Sequence, residues 1–155
     1  MFRIACKQAL YQGQAITARS KNTVSKMQEA AYEELDHLAW CNQRLSELDC
    51  RSSYLDPLWY AGALSLGITA GLIGDKWSLG FLAETEQQVV DHLDSHLGKL
   101  PDEDHKSRSI VKKMSDDEAA HRDMANDAGA NVLPGVIKKL MKMSAKVMTK
   151  VSYKL

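Results

Sequence analysis

Apolar residues recur along most of this chain at intervals of three and four, the period of a helix with one buried face. Residues 3–18 read as a first helix, interrupted only by Gly13. A loop from Arg19 to Asn22 leads to a second helix near 23–48, with Asn22 or Thr23 as the expected N-cap. Its Ala31, Leu35, Leu38, Leu45 and Leu48 follow helical spacing. A polar connection over 49–56 ends before Pro57, a favoured first helical residue, and an apolar third helix runs on to Gly74. A fourth covers Lys76 to Leu97, opening near Asp75 and stopping at Gly98. Pro101 opens a fifth that reaches about Ala128, with Asp102, Glu103 and Asp104 in its first turn, where acids complement the helix dipole. After Gly129 and Pro134 a last helix runs to the C-terminus. Alternating β-branched runs are few and no fixed-period repeat occurs, so the expectation is an all-α bundle in one domain over 1–155.

The third helix stands apart because Pro57 to Gly74 carries no charged residue between its ends. Its length raises the question of a membrane span. Four glycines and the charges that follow at once, Asp75 and Lys76, favour a helix partly buried in the bundle and partly facing lipid. At the C-terminal end Lys138, Lys139, Lys142, Lys146, Lys150 and Lys154 lie among apolar residues, a pattern suited either to an anionic membrane surface or to a solvated helix face.

Composition narrows the rest. At 155 residues the chain has the size of one domain with a single core, and its 20 basic and 20 acidic residues leave no net field for nucleic acid. Cys6, Cys41 and Cys50 have neither zinc-motif spacing nor an even count, which fits a reducing compartment. The opening residues read as helix rather than as a secretory signal.

Two short motifs suggest chemistry. The second helix carries Glu34-Leu35-Asp36-His37 and the fifth carries Glu118-Ala119-Ala120-His121. Residues at i and i+3 share a helix face, so each motif presents a carboxylate and an imidazole to one point. Glu86 on the fourth helix adds a further carboxylate. Glu-x-x-His on two helices with lone glutamates on others is the ligand pattern of carboxylate-bridged di-iron bundles, and such mixed donors suit Fe(II). Metal-bound imidazoles donate their other N–H to a carboxylate, so Asp117 is expected to orient His37 across the bundle, and Glu33 to orient His121. His92 and His96 have a zinc-like spacing but no further ligands to complete a site. His92 is placed at the pocket wall, as a neighbour of the metal or on the substrate side, and His96 at the surface.

The strings QALYQGQA, EELDHLAW, DPLWYAGALSLG, GDKWSLGFLAETEQQV and DDEAAH resemble the demethoxyubiquinone hydroxylase family over nearly the whole chain from Cys6 onward. The resemblance implies a ferritin-like four-helix bundle with additional membrane-facing and C-terminal helices. It implies two irons at Glu34, His37, Glu86, Glu118 and His121, with His92 close to them in a catalytic role. The implied reaction hydroxylates a polyprenyl demethoxybenzoquinone, using dioxygen and an electron donor such as NADH. The implied location is peripheral, on the cytoplasmic face of a bacterial inner membrane. A long-tailed quinone would enter from the bilayer along Leu58, Trp59, Leu64, Leu66, Ile68, Leu72 and Ile73, with Trp59, Tyr60 and Trp77 at the lipid–water boundary. The apolar helix could also serve a homodimer.

The family places a further glutamate on the first helix, and here that position is Ile4. Either Met1 is an internal or mis-assigned start, which the abrupt mismatch before Cys6 favours, or the site has degenerated; in both cases it is expected to hold fewer than two irons tightly, with little turnover. Two other readings keep the fold: a non-catalytic metal-binding or assembly protein, favoured by the missing glutamate, and an iron-storage bundle, which would not need the apolar third helix.

Overall fold

The computed structural model describes residues 2–152, which form six α-helices and, among the described residues, no strand. They are α1 (Phe2–Thr17), α2 (Lys21–Glu47), α3 (Asp56–Ile73), α4 (Asp75–Leu97), α5 (His105–Asp127) and α6 (Gly135–Ser152). Met1 and Lys154 lie outside the described residues. The all-α expectation holds, with shifted ends. Ser20, not Asn22 or Thr23, caps α2: its backbone is extended and its side chain accepts from the Thr23 N–H at 3.1 Å. Asp75 accepts from the Arg19 and Ser20 amides at 2.9 and 2.8 Å, which ties the start of α4 to the start of α2. The fifth helix opens four residues later than Pro101, because Asp104 is its N-cap and accepts from the Ser107 N–H at 3.0 Å.

Helices α1, α2, α4 and α5 make the bundle, and α3 packs along the outside of α1. Two apolar clusters fill it. One gathers Leu10, Tyr11, Met27, Ala30, Ala31, Leu79, Leu82, Ala83 and Ala125; the other gathers Ile4, Val89, Leu93 and Met114. Along each helix, the sequence between the two clusters is where the buried polar residues fall: Lys7 on α1, Glu34 on α2, Glu86 on α4 and Glu118 on α5. A polar layer is therefore held between two apolar ones. Burying several carboxylates costs far more than a helical fold requires, so such a layer points to function.

Glycine lets α3 approach α1. A Cβ on Gly67 would meet the Leu10 carbonyl oxygen at 2.0 Å, and one on Gly13 would meet the Leu64 carbonyl oxygen at 2.4 Å. Both obstacles are backbone, so only separation of the helices relieves them. Gly67→Ala should cost about 3 kcal/mol. Gly62→Ala, on the same helix where a Cβ meets nothing within 4 Å, should gain roughly 0.5–1 kcal/mol. Urea unfolding of the two variants tests the contrast, and equal effects would contradict this packing.

Candidate metal centre

Three helices bring the acids and imidazoles together. Glu34 and His37 come from α2, Glu86 from α4, and Glu118 and His121 from α5, and all five are buried. One ligand atom from each of Glu34, Glu86, Glu118 and His121 lies within 4.8 Å of the others. His37 joins from the other side, its Nδ1 3.4 Å from Glu118 Oε1 and 3.7 Å from Glu34 Oε2. His121 mirrors it, with Nδ1 3.6 Å from Glu118 Oε2 and 3.8 Å from Glu86 Oε1. Four of the five residues expected from the two motifs and the lone glutamate thus form one group, and His37 adjoins it through Glu34 and Glu118.

The outward nitrogens complete the pattern. His37 Nε2 lies 3.1 Å from Asp117 Oδ2, and His121 Nε2 lies 2.6 Å from Glu33 Oε2. Each acid belongs to the opposite helix, as expected from the residue preceding each motif. Holding the Nε2 proton outward leaves Nδ1 as the inward donor on both rings. Inside, Glu34 Oε2, Glu118 Oε1 and both Nδ1 atoms are buried and make no hydrogen bond. Buried polar atoms are almost always paired, and a cluster of unpaired acceptors and imidazole nitrogens is the donor chemistry of a metal site.

The first helix contributes what the sequence reading did not foresee. Lys7 is buried, and its ammonium reaches Glu118, Glu34 Oε1 at 2.6 Å and Glu86 Oε2 at 3.0 Å. Tyr11, one turn on, donates its hydroxyl to Glu86. Ile4 packs against the apolar cluster with Val89, Leu93 and Met114. The clue was present: Ile4, Lys7, Tyr11 and Gln14 share a helical stripe, and three of them are polar on the face that must enter the core.

Charges inside the layer are tightly interdependent. Burial alone would lower the Lys7 pKa, but Glu118, Glu34 and Glu86 together hold it above the ordinary lysine range. Burial, helped by the Glu86 charge, keeps the Tyr11 phenol protonated well above its usual range. Glu86 is pushed up to about 7, first by burial and then by Glu118, with Lys7 opposing. Burial acts on Glu118 in the same sense, yet Lys7 and the two imidazoles hold it well below the carboxylate range. Burial works against charge on His37 and His121, and the nearby carboxylates overcome it, raising both to about 10.

His92 does not join the cluster. Six residues beyond Glu86, it has rotated onto another face of α4, where its Nε2 lies 3.1 Å from that of His96. It is not among the clustered ligands or the residues that line the neighbouring cavity. That cavity, of about 820 Å³, opens between α1, α3, α4 and α6, and Lys7 forms part of its wall beside the polar layer. Its lining is almost wholly apolar, including Leu10, Trp59, Leu66, Phe81, Val89, Leu140 and Met148. Of the α3 residues expected there, Trp59 and Leu66 take part; Leu58, Leu72 and Ile73 are exposed elsewhere, and Leu64 and Ile68 are half-buried outside the cavity lining. The polar tips of Trp59 and Tyr60 bond Ser152 and Gln12 within the protein. No helix among the described residues is long and apolar enough to cross a membrane.

Fold and site together define a ferritin-like helical protein with a buried carboxylate–histidine cluster able to hold metal. Comparison with known families makes this specific: residues 5–152 match the family described as ubiquinone biosynthesis protein COQ7, and the chain belongs to that family. Among relatives named 3-demethoxyubiquinol 3-hydroxylase, that of Chromobacterium violaceum is 56% identical over 149 residues, covering 96% of this chain and 72% of the relative. That of Polynucleobacter necessarius is 54% identical over 150 residues, covering 97% and 72%. That of Nitrosomonas europaea is 52% identical over 148 residues, covering 96% and 71%.

Proposed function

We propose that this chain is a metal-dependent monooxygenase that hydroxylates a polyprenyl demethoxybenzoquinol in ubiquinone biosynthesis. The observation that carries this reading is the junction of the carboxylate–histidine cluster with a large apolar cavity, the two meeting at Lys7. Iron held in this cluster, by Glu34, His37 and Glu118 with Glu86 and His121 beside them, would supply the activation of dioxygen. Overall, one oxygen atom enters a ring C–H bond as hydroxyl and the other leaves as water, with two electrons and one proton from a donor such as NADH and a second proton from solvent. The protein's own part is to aim both Nδ1 atoms inward through Asp117 and Glu33, to exclude water, and to bind the ring and tail along the apolar wall.

The surface supports delivery from a bilayer. Leu58, Leu66, Leu72 and Ile73 on α3 and Val136, Leu140, Met143 and Val147 on α6 are exposed apolar residues. On α6 the apolar strip runs beside Lys139, Lys142, Lys146 and Lys150, the arrangement of a helix lying in an anionic interface. The reading is therefore of a peripheral protein on the cytoplasmic leaflet. A second reading, a metal-binding or assembly protein without turnover, is favoured by the Lys7 ammonium among the ligand carboxylates.

Anaerobic loading with Fe(II), followed by a short-tailed demethoxyquinol, NADH with a mediator, and ¹⁸O₂, decides between them. Product carrying one labelled oxygen is the expected result. Quinol binding and iron binding without any labelled product would favour the second reading.

A further inference from the structure

We propose that the Lys7 ammonium is a resident cation of the cluster, so that the chain holds a single metal ion, at Glu34, His37 and Glu118, with the His121 half of the site taken by Lys7 and Tyr11. This rests on the reading of the cluster as a metal centre.

An ammonium has three donors, and here it meets three carboxylates, one from each of three helices. The effect on the two halves of the cluster is unequal. On the His121 side, Glu86 gives Oε1 to the Tyr11 hydroxyl, while its Oε2 and Glu118 Oε2 face the Lys7 ammonium. The carboxylate oxygens that would join His121 Nδ1 around an ion are thus already engaged. On the His37 side, Glu34 Oε2, Glu118 Oε1 and His37 Nδ1 are buried and have no hydrogen-bond partner; His121 Nδ1 and Glu86 Oε2 also have none, but Glu86 Oε2 lies 3.0 Å from the Lys7 ammonium. The three atoms on the His37 side come from two helices and point at one another across 3.4 and 3.7 Å. The tightest grouping of donors includes His121 rather than His37, but it is the grouping that already encloses the ammonium. A divalent ion there would need to displace a cation tethered to α1, or sit against a like charge. The first helix offers no carboxylate in compensation, since Ile4 on the same stripe is packed in the apolar layer.

The test is Fe(II) stoichiometry and affinity under anaerobic conditions, by elemental analysis after desalting and by competition with a coloured chelator. The unaltered chain should retain one iron. His37→Ala should weaken binding about 100-fold or more, because a direct ligand is lost, whereas His121→Ala should change it less than about threefold. Lys7→Ala should raise the content towards two, and should make the melting temperature depend on added Fe(II), which in the unaltered chain has a smaller effect. If Lys7→Ala folds only with Fe(II) present, that too supports the proposal. Two tightly held irons in the unaltered chain, equal losses in the two histidine variants, or a folded Lys7→Ala that binds no more iron would each overturn it. Absence of iron binding in every variant, Lys7→Ala included, would instead bring down the metal-centre reading itself.

Discussion

Glu118→Ala should abolish Fe(II) binding and lower the stability of the fold by about 3–5 kcal/mol, the range seen when one partner of a buried ion pair is removed. Glu118 is fully buried and touches the Lys7 ammonium and both imidazoles, with His37 Nδ1 at 3.4 Å and His121 Nδ1 at 3.6 Å. Its removal leaves two imidazoles and an ammonium facing Glu34 and Glu86 alone. For a chain of this size the loss corresponds to a fall in melting temperature of roughly 10 °C. Glu118→Gln keeps the shape and loses the charge, so it should be nearly as destabilising. Adding Lys7→Ala to Glu118→Ala should recover part of the loss, giving a coupling of up to about 3 kcal/mol between the two positions. Thermal unfolding of the single and double variants provides the cycle. Simple additivity would mean that the Lys7–Glu118 contact is energetically idle.

Gly62→Phe should weaken binding of a short-tailed quinone at least tenfold while leaving metal binding and stability intact. Gly62 lines the apolar cavity, and a Cβ there meets no atom within 4 Å, so the backbone accepts a side chain without strain. Replacing glycine inside a helix removes a penalty of roughly 0.5–1 kcal/mol, which favours α3. The phenyl ring then occupies the space that the quinone tail needs. Displacing a ligand from about half of its apolar contact costs more than 1.4 kcal/mol at ordinary burial energies, hence the tenfold expectation. Trp59 lies in the cavity wall, so quenching of its fluorescence by the quinone reports occupancy. Unchanged quenching in Gly62→Phe would place quinone binding elsewhere.

Much of the fold and the clustered donors was legible in the sequence because both follow from helical periodicity. Glu34 with His37 and Glu118 with His121 share faces by spacing, and Asp117 and Glu33 found the opposite imidazoles because each sits one residue before a motif on a facing helix. Helix starts were less legible. Ser20 and Asp104 act as caps through side-chain bonds to amides three residues on, and other polar residues nearby looked equally suitable. The role of Lys7 was missed because a lysine on a core-facing stripe normally extends its stem and carries its charge to solvent. Only the three-dimensional meeting of Glu34, Glu86 and Glu118 gives that charge a reason to stay inside. His92 lies on a different face of α4 from Glu86, with its Nε2 beside that of His96. The part played by α6 in the cavity wall also needed coordinates, because Leu140 and Met148 line the same cavity as α1 and α3 residues far away in the chain.

If the polar layer between the two apolar clusters is a metal site, Fe(II) must bind inside it. Crystals grown anaerobically with Fe(II), measured on both sides of the iron absorption edge, test it directly. The anomalous signal should fall inside the bundle, bonded to Glu118, Glu34 and His37. A signal at His92 and His96, or none within the bundle at saturating Fe(II), would contradict the account.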